Sequence, residues 1–321
     1  MSATPTMDYS QRPKYIAATW SLTKVRMLLA MRNRAFFFFS LMMPMLFLIG
    51  AVIFIHQKGG FVSQYILGVL LTWTVMGSFW GVSVQLVTFR EQGILRRFRL
   101  APVGAGPMLA SSILSNYAMA VPTLLIEVLV CRYVLHIRNW GNPLGLFLLV
   151  TFGCAAFSAF GLIVASVTNT MQETQLINQL IWLGFLFLSG ATIPLDSFPP
   201  WIQHAALFSP ATYLAVGLET ASMGTILWKD LATDIGGLAI TLWAAFEISR
   251  RLFRWEPEAK VSKRAKLWVL AALIPIFAFG IAENHNGGYL KRTDANLKLL
   301  SQANREMTPQ SQNHPQPSNS N

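Results

Sequence analysis

The residue types that carry enzyme chemistry are sparse in this sequence, and their spacing argues against a catalytic or metal site. No histidine has a His, Cys, Asp or Glu three or four positions away, and the two cysteines lie in or beside apolar runs without a CxxC spacing. The patterns GxxxxGKS, GxxxxGKT, HExxH and GxSxG are all absent. The histidines and cysteines are His56, His136, His204, His285, His314, Cys131 and Cys154. We therefore predict a chain that is not an enzyme and that itself binds neither a metal nor ATP.

Three carboxylates lie within long apolar runs, close to the ends of those runs. They are Glu127, Asp234 and Glu247. A charge at the centre of a bilayer costs about 2.5–3.5 kcal/mol on insertion scales, so a carboxyl group there suggests function. Positions near the ends favour paired or neutralised interface residues instead, and Arg132 follows Glu127 by one helical turn. The sequence gives little support to a proton-driven carrier.

The segment from Phe89 to Val103, FREQGILRRFRLAPV, concentrates polar and basic residues between two apolar runs. It begins with a helical pattern and is interrupted by Pro102. Taken alone, this composition indicates an ordinary positively charged cytoplasmic loop, which sets membrane topology and contacts lipid headgroups.

The composition places these groups in a membrane protein. The chain has 321 residues, of which 53% are hydrophobic and 12% charged, and its mean hydropathy is +0.45. An ordinary soluble domain is about 25% charged. A soluble enzyme, a disulfide scaffold and a disordered protein are therefore excluded. The net charge of +11 would suggest nucleic acid on a soluble chain, but on this one it indicates membrane topology, and we predict no nucleic-acid partner.

Apolar runs near the roughly 20 residues that a helix needs to cross a bilayer recur along the chain. The fourth run contains Gly145, Gly153 and Gly161, small residues that let helices approach closely. A seventh run, Leu267–Ala282, is a candidate span of only 16 residues. The first six runs are Ala35–Ile55, Tyr65–Val87, Leu109–Val130, Pro143–Val167, Leu176–Leu195 and Ala232–Ile248.

The basic residues predict the orientation. If the N-terminus is cytoplasmic and each run crosses once, seventeen of the 25 lysines and arginines fall on the inner side, in three clusters. We therefore expect a multi-pass protein of the bacterial cytoplasmic (inner) membrane with its N-terminus inside. Residues 1–34 form a cytoplasmic region whose apolar positions have helical spacing, with Arg26 at the edge of the stripe, as in an interfacial amphipathic helix. Those positions are Tyr15, Ala18, Leu22, Val25 and Leu29.

The remaining boundaries follow from composition. Residues 35–256 form the predicted transmembrane domain, with a cytoplasmic loop at 89–103 and an outer hairpin at 194–213. That hairpin is too rich in proline to span and too apolar for an ordinary loop. Residues 257–290 are a basic linker and the candidate extra span, and 291–321 are a polar tail that we expect to be disordered.

These motifs together resemble the permeases of the ABC type-2 export family, over about residues 14–256. The loop after the second span matches at Glu91, Gly93, Leu95, Arg96, Arg97, Pro102 and Val103, with Ile94 where the family usually has threonine. The end of the fifth span and the outer hairpin after it match at Ser189, Gly190, Pro194, Pro199, Trp201, Leu207, Pro210 and Tyr213. The basic segment Arg251 to Glu256 resembles the exit of the sixth span. The drug- and antibiotic-resistance branch is the most similar.

The resemblance implies an all-α, six-span exporter permease. It would pair with a second permease, a homodimer being favoured, and with a separate ATPase that binds ATP and magnesium. The loop at 89–103 would then couple ATPase closure to the spans, and a lipophilic small molecule, drug or lipid-like compound would move outward through the bilayer. Aromatic and amide residues of spans two and five would line the cargo path. The alternative is that these residues contact lipid or pack between helices. They are Trp73, Phe79, Trp80, Asn178, Gln179, Trp182 and Phe185. A polysaccharide or lipo-oligosaccharide exporter has the same layout, and an integral-membrane lipid-modifying enzyme is the remaining alternative.

Overall fold

In the computed structural model, the described residues are helical and contain no strand. They comprise 15–32, 60–99, 104–134, 140–193, 195–253 and 263–295, with the single positions 42, 46, 49, 137 and 298. The predicted first span, the coupling-loop residues Pro102 and Val103, and Pro194 of the outer hairpin lie outside this part of the chain, apart from those single positions.

Ten helices and a short 3-10 turn are defined in the described chain. The turn is Leu195–Ser197, and a further segment, 288–295, is also helical. The ten helices are α1 (Tyr15–Arg32), α2 (Gly60–Glu91), α3 (Ile94–Arg99), α4 (Ala105–Tyr133), α5 (Pro143–Val167), α6 (Met171–Leu188), α7 (Pro200–Ala206), α8 (Pro210–Met223), α9 (Trp228–Leu252) and α10 (Lys263–Asn286).

Four helices are long and apolar enough to cross a membrane. They are Ile66–Glu91 within α2, Ala105–Tyr133, Pro143–Val167 and Trp228–Leu252. They coincide with the predicted second, third, fourth and sixth spans, which confirms a polytopic helical architecture. The count of six or seven crossings stays a prediction.

Helix α2 is the centre of the bundle and contacts α4, α5, α6 and α8, while α9 packs on α5 and α10 on α9. The close contact between α2 and α5 depends on Gly161, where an added β-carbon would lie 2.2 Å from the carbonyl oxygen of Phe79. Gly68 likewise faces the backbone of Glu219 in α8, with its β-carbon position 2.7 Å from that Cα atom. The expectation that small residues permit close approach holds at these interfaces.

Capping side chains determine where several helices begin. Asn142 accepts a hydrogen bond from the Gly145 backbone N–H at 2.9 Å, with Pro143 at the first position of α5. Thr170 plays the same role for α6, accepting from Glu173 N–H at 3.2 Å. The fifth predicted run, Leu176–Leu195, therefore has different bounds as a helix: it starts at Met171 and ends at Leu188, just before Gly190 adopts a φ of +83°.

The predicted outer hairpin consists of α7 and the start of α8. Helix α8 begins at Pro210 after a Ser209 cap and continues to Met223, ten residues beyond the predicted end of the hairpin at Tyr213. Residues 211–223 are all buried, against α2, α5 and α9. Helix α8 is thus part of the bundle core. The sequence did not indicate this, because the helix is short and follows a segment rich in proline.

Candidate functional site

The predicted coupling loop forms a tight connection between α2 and a second short helix. After α2 ends at Glu91, the N–H of Gly93 donates to the carbonyl oxygen of Arg90 at 3.1 Å. Gly93 has a φ of +69°, in the left-handed region that glycine adopts without strain. Among the described residues no atom lies within 4 Å of the position of an added β-carbon, so glycine is favoured here by its backbone conformation. Helix α3 then runs from Ile94 to Arg99.

Leu95 anchors α3 to the bundle. Its side chain is fully buried in a cluster to which α1, α2, α4 and α5 all contribute. Besides Leu95, the buried members of this cluster are Leu22, Val82, Leu86, Val87, Met108, Leu109, Leu162 and Ala165. A displacement of α3 therefore acts directly on four packed helices.

Two polar contacts join the same loop to the turn between α5 and α6. The buried side chain of Arg90 donates from Nη1 to the carbonyl oxygen of Thr168 at 2.9 Å. Glu91 Oε1 accepts from the backbone N–H of Met171, at the start of α6, at 2.9 Å. A carboxylate at a helix N-terminus also interacts favourably with the helix dipole. The sequence analysis placed Arg90 and Glu91 in the coupling loop, but it could not show that they bridge to the second turn.

The other coupling residues differ in exposure. Arg96 is exposed on α3, and so is Glu91 beside it. The side chain of Arg97, and Pro102 as a whole, lie outside the described residues. The described part of the loop therefore combines a buried anchor with an exposed, charged surface.

Arg26 of α1 lies beneath this loop and was assigned by the sequence only to the edge of an apolar stripe. It is fully buried, donates from Nη2 to the sulfur of Met108 at 3.4 Å, and lies 5.5 Å from the ring centroid of Phe89. Burial lowers the pKa of its guanidinium to about 10, so the group remains charged at neutral pH. Its position four residues after Leu22 and eight after Ala18 is the helical signal for that buried face.

The rest of the predicted stripe on α1 is more exposed. Ala18 and Leu22 are buried, but Tyr15 is 53%, Val25 43% and Leu29 39% exposed. The helix therefore packs on α4 through one edge of the expected face.

The candidate cargo-path residues lie at the contact between α2 and α6, but in different surroundings. Phe79 is fully buried, in edge contact with Phe160 and Phe185 at centroid distances of 6.5 and 6.0 Å. Asn178 is also buried and donates to Ser83 Oγ at 2.8 Å. Gln179, the neighbour of Asn178, is exposed. Phe185 and the three tryptophans are half-buried against the core: Trp73, Trp80 and Trp182.

A polar network that the sequence analysis did not single out crosses the same bundle. Asn116 of α4 donates to the carbonyl oxygen of Ser78 at 3.0 Å and to Ser158 Oγ at 2.9 Å, which links α4 with α2 and α5. Glu127, also on α4, accepts a short hydrogen bond from Thr74 of α2. Arg132, its expected neighbour, donates to the carbonyl oxygen of Ile137 at 3.0 Å.

The other two carboxylates of the apolar runs have arginine partners. Glu247 lies 3.0 Å from Arg250 and 2.6 Å from Arg251 at the end of α9. Asp234 is fully buried and pairs with Arg292 at 2.5 Å. Within the described residues, no three His, Cys, Asp or Glu side chains come together as metal ligands.

The outer-hairpin residues form the boundaries of α7 and α8. Pro199 precedes α7 and Pro210 is the first residue of α8, as proline's fixed φ favours. Trp201 is 72% exposed, whereas Tyr213 is buried and donates to the carbonyl oxygen of Leu207.

The long apolar helices, with buried polar contacts between them, define a polytopic helical membrane protein. The chain belongs to the ABC-2 type transporter family, whose model matches residues 17–221. That match runs from α1 to the end of α8, so that α9, α10 and the C-terminal segment lie beyond it.

Curated relatives agree with this family. The chain is 24% identical over 191 residues to the Escherichia coli K12 protein named "Probable multidrug ABC transporter permease YbhR". The aligned segment covers 56% of this chain and 50% of that protein. It is 26% identical over 144 residues to the "Linearmycin resistance permease protein LnrN" of Bacillus subtilis, covering 45% of this chain and 37% of that protein. The "Probable doxorubicin resistance ABC transporter permease protein DrrC" of Mycobacterium tuberculosis is 26% identical over 145 residues, covering 44% and 52%. The chain therefore spans about half or less of the length of these relatives.

Proposed function

We propose that this chain is the membrane-spanning permease subunit of an ABC exporter. Its cargo is a lipophilic small molecule, drug or lipid-like compound, moved outward from the cytoplasm across the inner membrane. A separate ATPase subunit binds Mg-ATP and supplies the energy, and two permeases form the translocating unit. The family and the names of three relatives, one multidrug permease and two resistance permeases, support the class of transporter and of cargo.

The observation that carries the proposal is the attachment of α3. Its apolar side, through Leu95, is embedded in a cluster from four helices, while Arg96 faces outward. Arg90 and Glu91 link the same loop to the start of α6. A partner that grips the exposed side of α3 would therefore move the central helix and the α5–α6 turn together. Packed helices move in this way as discrete bodies.

Reversal of the exposed charge tests the coupling. We expect Arg96→Glu, alone and with Arg97→Glu, to reduce ATP-driven export at least tenfold while expression and membrane insertion are unchanged. Arg96 is exposed, so its replacement removes a contact surface without opening the core. Export of a fluorescent lipophilic dye from vesicles containing the permease and its ATPase is the measurement.

Lys229→Glu is the matched control, because Lys229 is also exposed but lies at the start of α9, at the other end of the bundle. It should transport normally. Normal export by the Arg96→Glu, Arg97→Glu double variant would contradict the coupling role.

A further inference from the structure

The C-terminal region beyond the family match folds back onto the outer hairpin. Helix α10 packs on α9, and Phe279 in the last third of α10 lies against Gly237 in the first half of α9. The two helices are therefore antiparallel. With 24 residues, α10 is about 36 Å long, which exceeds the roughly 30 Å of a bilayer core.

The end of α10 contacts the turn between α7 and α8. Asn284 lies 2.6 Å from Nδ1 of His204 through its Oδ1 atom, and its Nδ2 donates to the His204 carbonyl oxygen at 3.2 Å. The ring of Phe208 packs directly on Gly280, where an added β-carbon would lie 2.5 Å from Cδ1 of that ring. These contacts place the end of α10 at the same level as the hairpin.

The helical segment 288–295 continues this contact onto α8 and α9. The hydroxyl of Tyr289 donates to the carbonyl oxygen of Thr212 at 2.7 Å, and its buried ring lies 5.3 Å from that of Tyr213. Three residues later, Arg292 pairs with the fully buried Asp234 and lies 3.9 Å from Asp230. Its guanidinium is 5.2 Å from the centre of the Tyr289 ring.

A buried ion pair is weak evidence for stability, since desolvation offsets most of the attraction. Its better-supported role is to fix one arrangement of the elements that carry the charges. Here the charges lie on α9 and on a segment 58 residues further along the chain. If α7 and α8 moved away from α9, the Tyr289 hydroxyl would lose its hydrogen-bond acceptor, the Thr212 carbonyl oxygen. The packing around Arg292 would also be disturbed.

We propose that residues 263–295 act as a strap on the outer hairpin. Helix α10 is a seventh membrane crossing, and it delivers Tyr289 and Arg292 to the outer face, where they hold α7 and α8 against α9. The strap lies outside the segment shared with the family and does not depend on the cargo or on the ATPase.

The first test addresses the crossing. A cysteine in place of the exposed Lys291 should react with a membrane-impermeant maleimide in right-side-out vesicles, because the strap places it outside. The native cysteines are both buried, so the unsubstituted chain is the background control. Labelling that appears only after the vesicles are permeabilised would overturn the crossing.

The second test addresses the contact. In the pair His204→Cys, Asn284→Cys, mild oxidation should form an intramolecular disulfide, detected as a cross-linked peptide by mass spectrometry. The matched control pair, His204→Cys with His285→Cys, places the second thiol on the exposed neighbour of Asn284 and should cross-link at least several-fold less. Equal yields would contradict the contact.

The third test addresses the ion pair. We expect Arg292→Asp and Asp234→Arg each to raise hydrogen exchange in α8 by roughly tenfold, since each brings like charges together and loosens the hairpin. The charge-swapped double variant should restore slow exchange, and Lys291→Asp should leave it unchanged. Fast exchange in the double variant as well, or slow exchange in both single variants, would overturn the strap.

Discussion

Glu127 is a carboxyl group buried between two helices of the bundle, where each of its contacts affects stability. Thr74 donates to Oε1, whereas Oε2 has no hydrogen-bond partner among the described residues. A buried polar group without a partner costs more free energy than a hydrogen bond contributes. Removal of one partner is therefore more destabilising than replacement of both partners by apolar groups. The position of the Glu127 carboxyl group therefore depends on its hydrogen bond from Thr74 on the neighbouring helix.

This asymmetry predicts a pair of outcomes. Thr74→Val should lower the free energy of unfolding by about 1–3 kcal/mol, because it leaves both carboxyl oxygens without a donor. Adding Glu127→Met should recover most of that loss, since both partners are then apolar. Thermal unfolding in detergent is the measurement.

Thr88→Val, on the same helix, is the control for this pair. Among the described residues its hydroxyl bonds only to the Val84 carbonyl oxygen, within the helix, so the loss of stability should be small. A double variant no more stable than Thr74→Val would show that the carboxyl group has another partner.

At the scale of the elements, helix spacing depends on a few positions where two backbones meet. Gly161 brings α5 against the carbonyl oxygen of Phe79 in α2, and Gly68 brings α2 against Glu219 in α8. Both contacts involve backbone atoms, which cannot rotate away as the end of a side chain can. The glycines that the sequence predicted as close-approach residues differ in this respect. The three described atoms nearest to the β-carbon position of Gly153 belong to the side chains of Val75 and Leu214.

Gly161→Ala should therefore force α2 and α5 apart. We expect a loss of about 1–3 kcal/mol in unfolding free energy, as for other overpacked cores. Gly77→Ala is the matched control on α2. No atom of the described residues lies within 4 Å of its β-carbon position, and alanine favours the helix by up to about 1 kcal/mol. Equal melting temperatures for the two variants would contradict the backbone contact.

At the scale of the whole molecule, the two ends of the bundle have different chemistry. One end gathers α3, the α5–α6 turn and the buried Arg26 and Arg90. The other gathers α7, α8 and the segment 288–295. Helix α2 connects the two ends, because it contacts α3 at one end and α8 around Gly68.

The proposed separation of the permease from the ATPase subunit gives a prediction at this scale. The purified chain should show no ATP hydrolysis, because the sequence lacks the phosphate-binding GxxxxGKS or GxxxxGKT loop. Co-expression with an ABC ATPase of the same genome should give a stable complex that hydrolyses ATP. An ATPase variant lacking its phosphate-binding lysine is the control, and hydrolysis by the chain alone would contradict the proposal.

The sequence by itself determined the class of the molecule. Long apolar runs, low charge and the loop pattern around Gly93 and Leu95 are local signals, because hydrophobic length and glycine conformation depend on neighbouring residues alone. These signals sufficed for a polytopic helical permease and for four of its spans. Proline content also predicted that the outer hairpin does not span the membrane, but the helix starts next to Pro199 and Pro210 are known only from the structure.

Only the tertiary structure decided which polar groups are buried and which residues they meet. Asp234 and Arg292 are 58 residues apart in the chain, and the pair between Arg90 and Thr168 spans 78. Such contacts have no periodic signal in the sequence. Helical spacing relates Arg26 to Ala18 and Leu22, but it does not identify Met108 and Phe89 as its neighbours. The predicted hairpin likewise ended at Tyr213, inside what the structure shows as the buried helix α8. The physical reason is that burial of a charge or a short helix depends on what packs against it from distant parts of the chain, which the local sequence does not encode.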